Sequence, residues 1–105
     1  MTKQVLLAKS CNVAYAMSIV GGKWKIAIIW KLMGHELRFA ELRRQLSGIS
    51  EGVLITQLKE LERDGIITRT SYNQVPPRVE YSLTPKGEEL ETALQALDQW
   101  GSIRE

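Results

Sequence analysis

Up to Gly65 the apolar residues of this 105-residue chain recur at helical spacing, and directly after it they alternate. Leu54, Leu58 and Leu61 stand at i, i+4 and i+7, a single stripe of an amphipathic helix. IITRTSY and VEYSL then alternate with a period of two, as strands with one buried face do, and Asn73 to Pro77 lies between them. Proline has no N–H to offer a strand ladder, so Pro76 and Pro77 mark the tip of a hairpin. One isolated hairpin in an otherwise helical chain leaves few architectures open.

The segments before Gly65 narrow them further. CNVAYAMSIV predicts a short helix with Asn12 as its N-cap, broken by Gly21-Gly22. Trp24 to Met33 is apolar on almost every side, which predicts a central helix buried all round and ended by Gly34. HELRF reads as a short extended connector. AELRRQL reads as an amphipathic helix with Leu42 and Leu46 inward and Arg43 and Arg44 outward. SGIS is a turn whose Ser50 caps the next helix, and Gly65 ends that helix. Helix, four-residue turn, helix is the spacing of a helix-turn-helix. After the hairpin, Thr84 is an N-cap and Pro85 stands at the first helical position. Glu88 and Glu89 suit the positive end of one last helix, which runs to about residue 103. The order predicts a mainly α fold with a small β-hairpin wing: a winged helix-turn-helix. A chain of this length is one domain. Within 1–105 the helix-turn-helix is expected at about 37–64, the wing at about 66–83 and a C-terminal dimerisation helix at about 84–103.

Charge is unevenly placed. Residues 1–50 carry eight Lys and Arg against two acidic residues, a net of +6, whereas residues 51–105 carry six basic against ten acidic, a net of −4. Such a split suits one face for a polyanion and another for something else. The longest uncharged run, Ser10 to Gly22, is 13 residues, short of a membrane span. A single cysteine, Cys11, excludes an internal disulfide framework, and a single histidine, His35, argues against a metal site or a Cys-His pair. There is no Gly-rich phosphate loop and no catalytic carboxylate pair, so the chain is expected to be no enzyme, to need no cofactor and to reside in a reducing cytoplasm.

In order along the chain stand Cys11 with Val13, GGKW at Gly21–Trp24, RFAEL at Arg38–Leu42, GIS at Gly48–Ser50, LKELERDGIITR at Leu58–Arg69 and VPPRVEYSLTPKG at Val75–Gly87. Taken together, with their spacing over about residues 11–90, they resemble the HxlR-type branch of the MarR-like winged-helix transcription regulators. The resemblance implies a small bacterial homodimer acting as a transcription regulator, most naturally a repressor, on a pseudo-palindromic operator in double-stranded DNA. It departs from the pattern at Gly52, where a basic residue is common, at Ile55, where a small polar one is common, and at Asn12, where a proline follows the cysteine.

These expectations assign residues. The recognition helix would run from Ser50 to Arg63, with Ser50, Glu51, Gly52, Val53, Thr56 and Gln57 as candidate base contacts near its start. Lys23, Lys25, Arg38, Arg43 and Arg44 are candidate phosphate partners, which position a protein without specifying sequence. Arg78, beside the wing tip, would reach the minor groove. Its rival role is pairing with Glu80; Glu80, Tyr81 and Leu83 themselves read as structural. Val5, Leu6, Leu7, Leu90, Leu94, Leu97 and Trp100 are candidates for a homodimer interface, against the alternative that the last helix packs on its own domain. Cys11 is a candidate sensor of a small electrophile or oxidant, because several relatives of this type carry an N-terminal sensing cysteine and a helix start can stabilise a thiolate. Its plainer reading is a small buried apolar side chain. The alternative function is a protein-interaction adaptor whose recognition face is filled by a partner protein, favoured by Glu51, Gly52 and the acidic second half.

Overall fold

The computed structural model describes residues 11–104. In chain order they form α1 (Asn12–Val20), α2 (Lys25–Leu32), α3 (Phe39–Gln45), α4 (Glu51–Arg63), β1 (Ile67–Tyr72), β2 (Arg78–Leu83), α5 (Pro85–Glu88) and α6 (Glu91–Gly101). The expected winged helix-turn-helix is present. α3 and α4 flank the turn, and β1 pairs antiparallel with β2 in a register from Ile67 opposite Leu83 to Tyr72 opposite Arg78.

The core lies where α2, α3 and α4 meet the base of the wing. Ile28, Ile29, Leu42, Leu54 and Leu61 are completely shielded from solvent. Each buried Leu or Ile contributes about 1.5–3 kcal/mol relative to exposure. The three α4 leucines face inward as their spacing required, which fixes what α4 turns outward. Gly48, at φ 87°, supplies the left-handed residue of the turn, and Ile49 beside it is buried. Ser50 Oγ accepts the Val53 N–H at 3.2 Å, the expected cap. Gly65, at φ 75°, ends α4.

The connector before α3 is extended and joins the wing. Leu37 and Tyr81 exchange backbone hydrogen bonds of 3.0 and 2.8 Å. That bridge, with Leu83 packed on the core, ties the base of the hairpin to the helical body.

Several expectations are corrected. Cys11, not Asn12, occupies the N-cap of α1, and its side chain makes no capping hydrogen bond. α2 is not buried all round, because Trp30 turns outward and is 37% exposed. The C-terminal helix is two helices. Leu90 N–H bonds back to the Gly87 carbonyl at 3.1 Å, a three-residue step that separates α5 from α6. Leu94 lies in the protomer's own core, 5% exposed, so it is removed from the candidate interface.

Lys25 is also reassigned. Its Nζ lies 2.6 Å from Glu60 Oε1, with the lysine side chain 12% exposed, so it fastens the start of α2 to α4 rather than facing solvent. Hydrogen bonding and charge from Lys25 hold the Glu60 carboxyl below its ordinary range. Because the folded-state pKa is depressed, the pair's contribution is complete above glutamate's usual value of about 4.3 and is lost as pH falls below it. Thermal melts between pH 5 and pH 3 should therefore show a steeper decline for the parent than for Lys25→Met. Parallel declines would mean that the pair adds nothing to folding.

Candidate nucleic-acid interface

α3 opens on Arg38, whose backbone N–H donates to Glu41 Oε1 at 2.9 Å. Arginine has no acceptor to return the bond, so only this half of a capping box forms and the guanidinium stays outside the helix. Arg38 and Arg44 line a solvent-open groove of about 480 Å³ between α3 and β2, shared with Glu36, Glu41 and Glu80. Arg43 stands on the side of α3 nearer the recognition helix, its Nη1 3.7 Å from Glu51 Oε2 across the turn. Both partners of that pair are exposed, so it is weak and readily exchanged for a phosphate. Arg43 and Arg44 lie on the outer side of α3, as helical spacing from Leu42 and Leu46 required; the three carboxylates folded in among the arginines were not foreseen.

On α4, Ser50, Glu51, Gly52, Val53 and Thr56 are all exposed on the outer side, and Gln57 is half-buried. The candidate base contacts therefore form one surface. Thr56 Oγ1 donates to the Gly52 carbonyl at 3.0 Å, and Lys59 continues the exposed face.

The wing adds a built cluster. Arg78 and Tyr72 face each other as the last strand pair before the tip, with the guanidinium 4.1 Å from the Tyr72 ring centroid. Arg78 Nε lies 3.7 Å from Glu80 Oε2, a charge contact rather than a hydrogen bond, and is shielded from water with no hydrogen-bond partner. The Glu80 carboxylate beside Tyr72 holds its phenol above the ordinary pKa. Arg78 thus has the structural role that was its rival reading, while 31% of its side chain stays exposed beside the tip. Counting outward from both ends of the five-residue turn would have paired Tyr72 with Arg78; alternation alone did not single out the tyrosine.

Among the described residues there is no cluster of three or more side chains that could hold a metal ion. The family model for the HxlR-like helix-turn-helix covers residues 19–104. The chain belongs to the HxlR-like family. Over 92 residues it is 46% identical to the uncharacterized HTH-type transcriptional regulator YkvN of Bacillus subtilis, spanning 88% of this chain and 78% of that one. Its fold matches that of the redox regulator HypR in its oxidized form with a TM-score of 0.85 and 41% identity, covering 90% of this chain and 98% of the other. The reduced form of the transcriptional regulator YodB from B. subtilis matches with a TM-score of 0.77 and 35% identity, over 86% and 89% of the two chains. This is a helix-turn-helix transcriptional regulator, a class that acts on DNA and is not enzymatic.

The remaining site residues of this HxlR-like regulator lie outside α3, α4 and the wing. Lys23 Nζ sits 4.8 Å from the centroid of the Trp24 ring. Cys11 is a free, half-buried thiol at the start of α1. Leu90 is half-buried against the core, whereas Leu97 and Trp100 on α6 are 53% and 76% exposed. Val5, Leu6 and Leu7 lie outside the described residues. Among the described residues no helix is long and apolar enough to cross a membrane.

Proposed function

We propose that this regulator binds double-stranded DNA in the cytoplasm as a homodimer on a pseudo-palindromic operator and acts as a repressor. The observation that carries the reading is the joint exposure of Arg43 and Arg44 on α3 and of the outer face of α4, with Arg78 partly exposed beside them at the wing. Phosphate contacts from the arginines would set the register while α4 lies in the major groove and the wing follows the minor groove. The dimer is supported by Leu97 and Trp100, large apolar side chains left uncovered on α6, and by an open groove of about 250 Å³ between Trp30 and Leu97. Two copies would set their recognition helices about one DNA turn, ~34 Å, apart. Selection of duplexes from a random pool, followed by titration with salt, tests the reading. A palindromic consensus with affinity falling steeply in salt is expected. Salt-insensitive capture of a partner protein without duplex binding would favour the adaptor function instead.

Cys11 is the sensor in this reading, supported by its free thiol and by the likeness to structures described by their redox state. Two Cys11 thiols, one per protomer, would lose two electrons and two protons to form a disulfide. A quinone would take these up as hydroquinone, or a hydroperoxide as alcohol and water. Cys11→Ser should bind operator normally yet keep it bound when a quinone or hydroperoxide is added, as read by electrophoretic mobility. Release from the variant would remove Cys11 from the mechanism.

A further inference from the structure

Along the outer face of α4 the Thr56 hydroxyl is engaged within the helix and Glu51 makes only a loose surface pair. Glu51 pairs with Arg43 at 3.7 Å, and the Thr56 hydroxyl donates to the Gly52 carbonyl at 3.0 Å. Ser50 Oγ already accepts the Val53 N–H at 3.2 Å, Gly52 has no side chain, and Gln57 is half-buried. Between Glu51 and Gln57 the first two turns of α4 present methyl groups. Val53 is 40% exposed, Ile55 is 38% exposed, and Thr56, its hydroxyl proton engaged, offers its γ-methyl. At about 100° per residue, Val53 and Ile55 flank the outer face, with Gly52 and Thr56 between them and Leu54 opposite in the core. Nothing lies within 4 Å of a β-carbon built at Gly52, so the centre of that face is open to close approach.

An aliphatic face suits one base-edge group in the major groove, the C5-methyl of thymine; guanine and cytosine present only polar atoms there. We infer that α4 reads its half-site by apolar contact with thymine methyl groups, through Val53, Ile55 and Thr56. Gly52 admits the groove floor closely enough for these short side chains to touch it. The ligand class is a duplex with thymines, rather than guanine pairs read by arginine, opposite α4. This rests on the DNA-binding reading above and adds how the sequence is told apart. It also gives a physical role to Gly52 and Ile55, the two places where α4 departs from the common pattern: a basic residue at Gly52 would hold the groove away from the methyl face.

The test uses the full chain and the duplex it selects from a random pool. Thymines of that duplex are replaced one at a time by deoxyuridine, which removes the methyl and leaves the base pair intact. At the thymines opposite α4, each replacement should weaken binding about fourfold, the loss of one buried methyl-sized group. Thr56→Ser keeps the hydroxyl and its bond to Gly52 but deletes the methyl. It should weaken binding to the thymine duplex about sixteenfold, because both protomers lose the methyl, and erase the thymine-to-deoxyuridine difference at one position of each half-site, as coupled partners do in a double-mutant cycle. Equal binding of thymine and deoxyuridine duplexes, with steep salt dependence retained, would overturn the methyl reading and leave DNA binding standing. Failure to enrich any duplex would overturn both.

Discussion

Gly87→Ala is expected to lower the thermal midpoint by roughly 15 °C. Gly87 is buried, and a β-carbon there would run into the carbonyl oxygen of Ile66 and lie 3.2 Å from Leu83 Cδ2. The carbonyl cannot give way, because it accepts the Thr84 N–H at 3.0 Å and the Thr84 hydroxyl at 3.1 Å. The single proton of that hydroxyl is shared with Gly65 O, the nearer acceptor at 2.6 Å. Overpacking of this kind costs about 3 kcal/mol when backbone must shift, and a domain of about 100 residues loses 4–8 °C per kcal/mol. Gly52→Ala serves as the counterpart. Its β-carbon meets nothing, and at the second residue of α4 alanine keeps only part of the about 0.5–1 kcal/mol it holds over glycine in a helix interior, so that variant should melt no lower than the parent. Melting curves decide the matter. If the two alanine variants melted alike, the junction of α4, β1 and α5 would not be the tight contact described.

The second large effect falls on DNA. Arg43→Ala together with Arg44→Ala should weaken operator binding by roughly 10²–10³-fold near physiological salt while leaving the fold intact. Both side chains are exposed, and neither belongs to the core, so the melting temperature should scarcely move. Each phosphate neutralised contributes about 0.9 to the slope of log affinity against log salt. With two arginines on each of two protomers, the slope should fall by about three to four units. The Arg43–Glu51 contact sharpens the reading, since loss of Arg43 also leaves Glu51 unpaired at the turn and adds repulsion toward the phosphates. An unchanged slope in fluorescence-anisotropy titrations would place the DNA elsewhere on the protein.

How much of this was legible in the sequence depends on the range of the interaction. The leucine stripe of α4 and the alternation of β1 and β2 are local patterns, and each was realised within a residue or two of the expected bounds. Ser50, Thr84 and Gly65 are local signals in the same sense, because a cap satisfies groups only a few residues away. The exposure of Arg43 and Arg44 followed from Leu42 and Leu46 by helical geometry alone. Lys25 was misplaced because its partner, Glu60, is 35 residues distant and no period links them. The break between α5 and α6 escaped notice for a similar reason: Gly87 docks on Ile66, across the chain, at a point the apolar spacing of Leu90 and Leu94 passes over.

By itself, then, the order of residues determined the element types, the inward faces of α3 and α4, the winged helix-turn-helix and the family. Hydrophobic period and capping are written within a few positions along the chain. The folded chain alone decided which charges are available. It took Lys25 from solvent into an ion pair, set Glu36, Glu41 and Glu80 among the α3 arginines, and clasped Arg78 between Tyr72 and Glu80. It also turned the Thr56 hydroxyl inward onto Gly52, leaving methyl groups as the outer surface of α4. Electrostatic and hydrogen-bond partners are chosen by distance in space, and that distance exists only once the helices have packed.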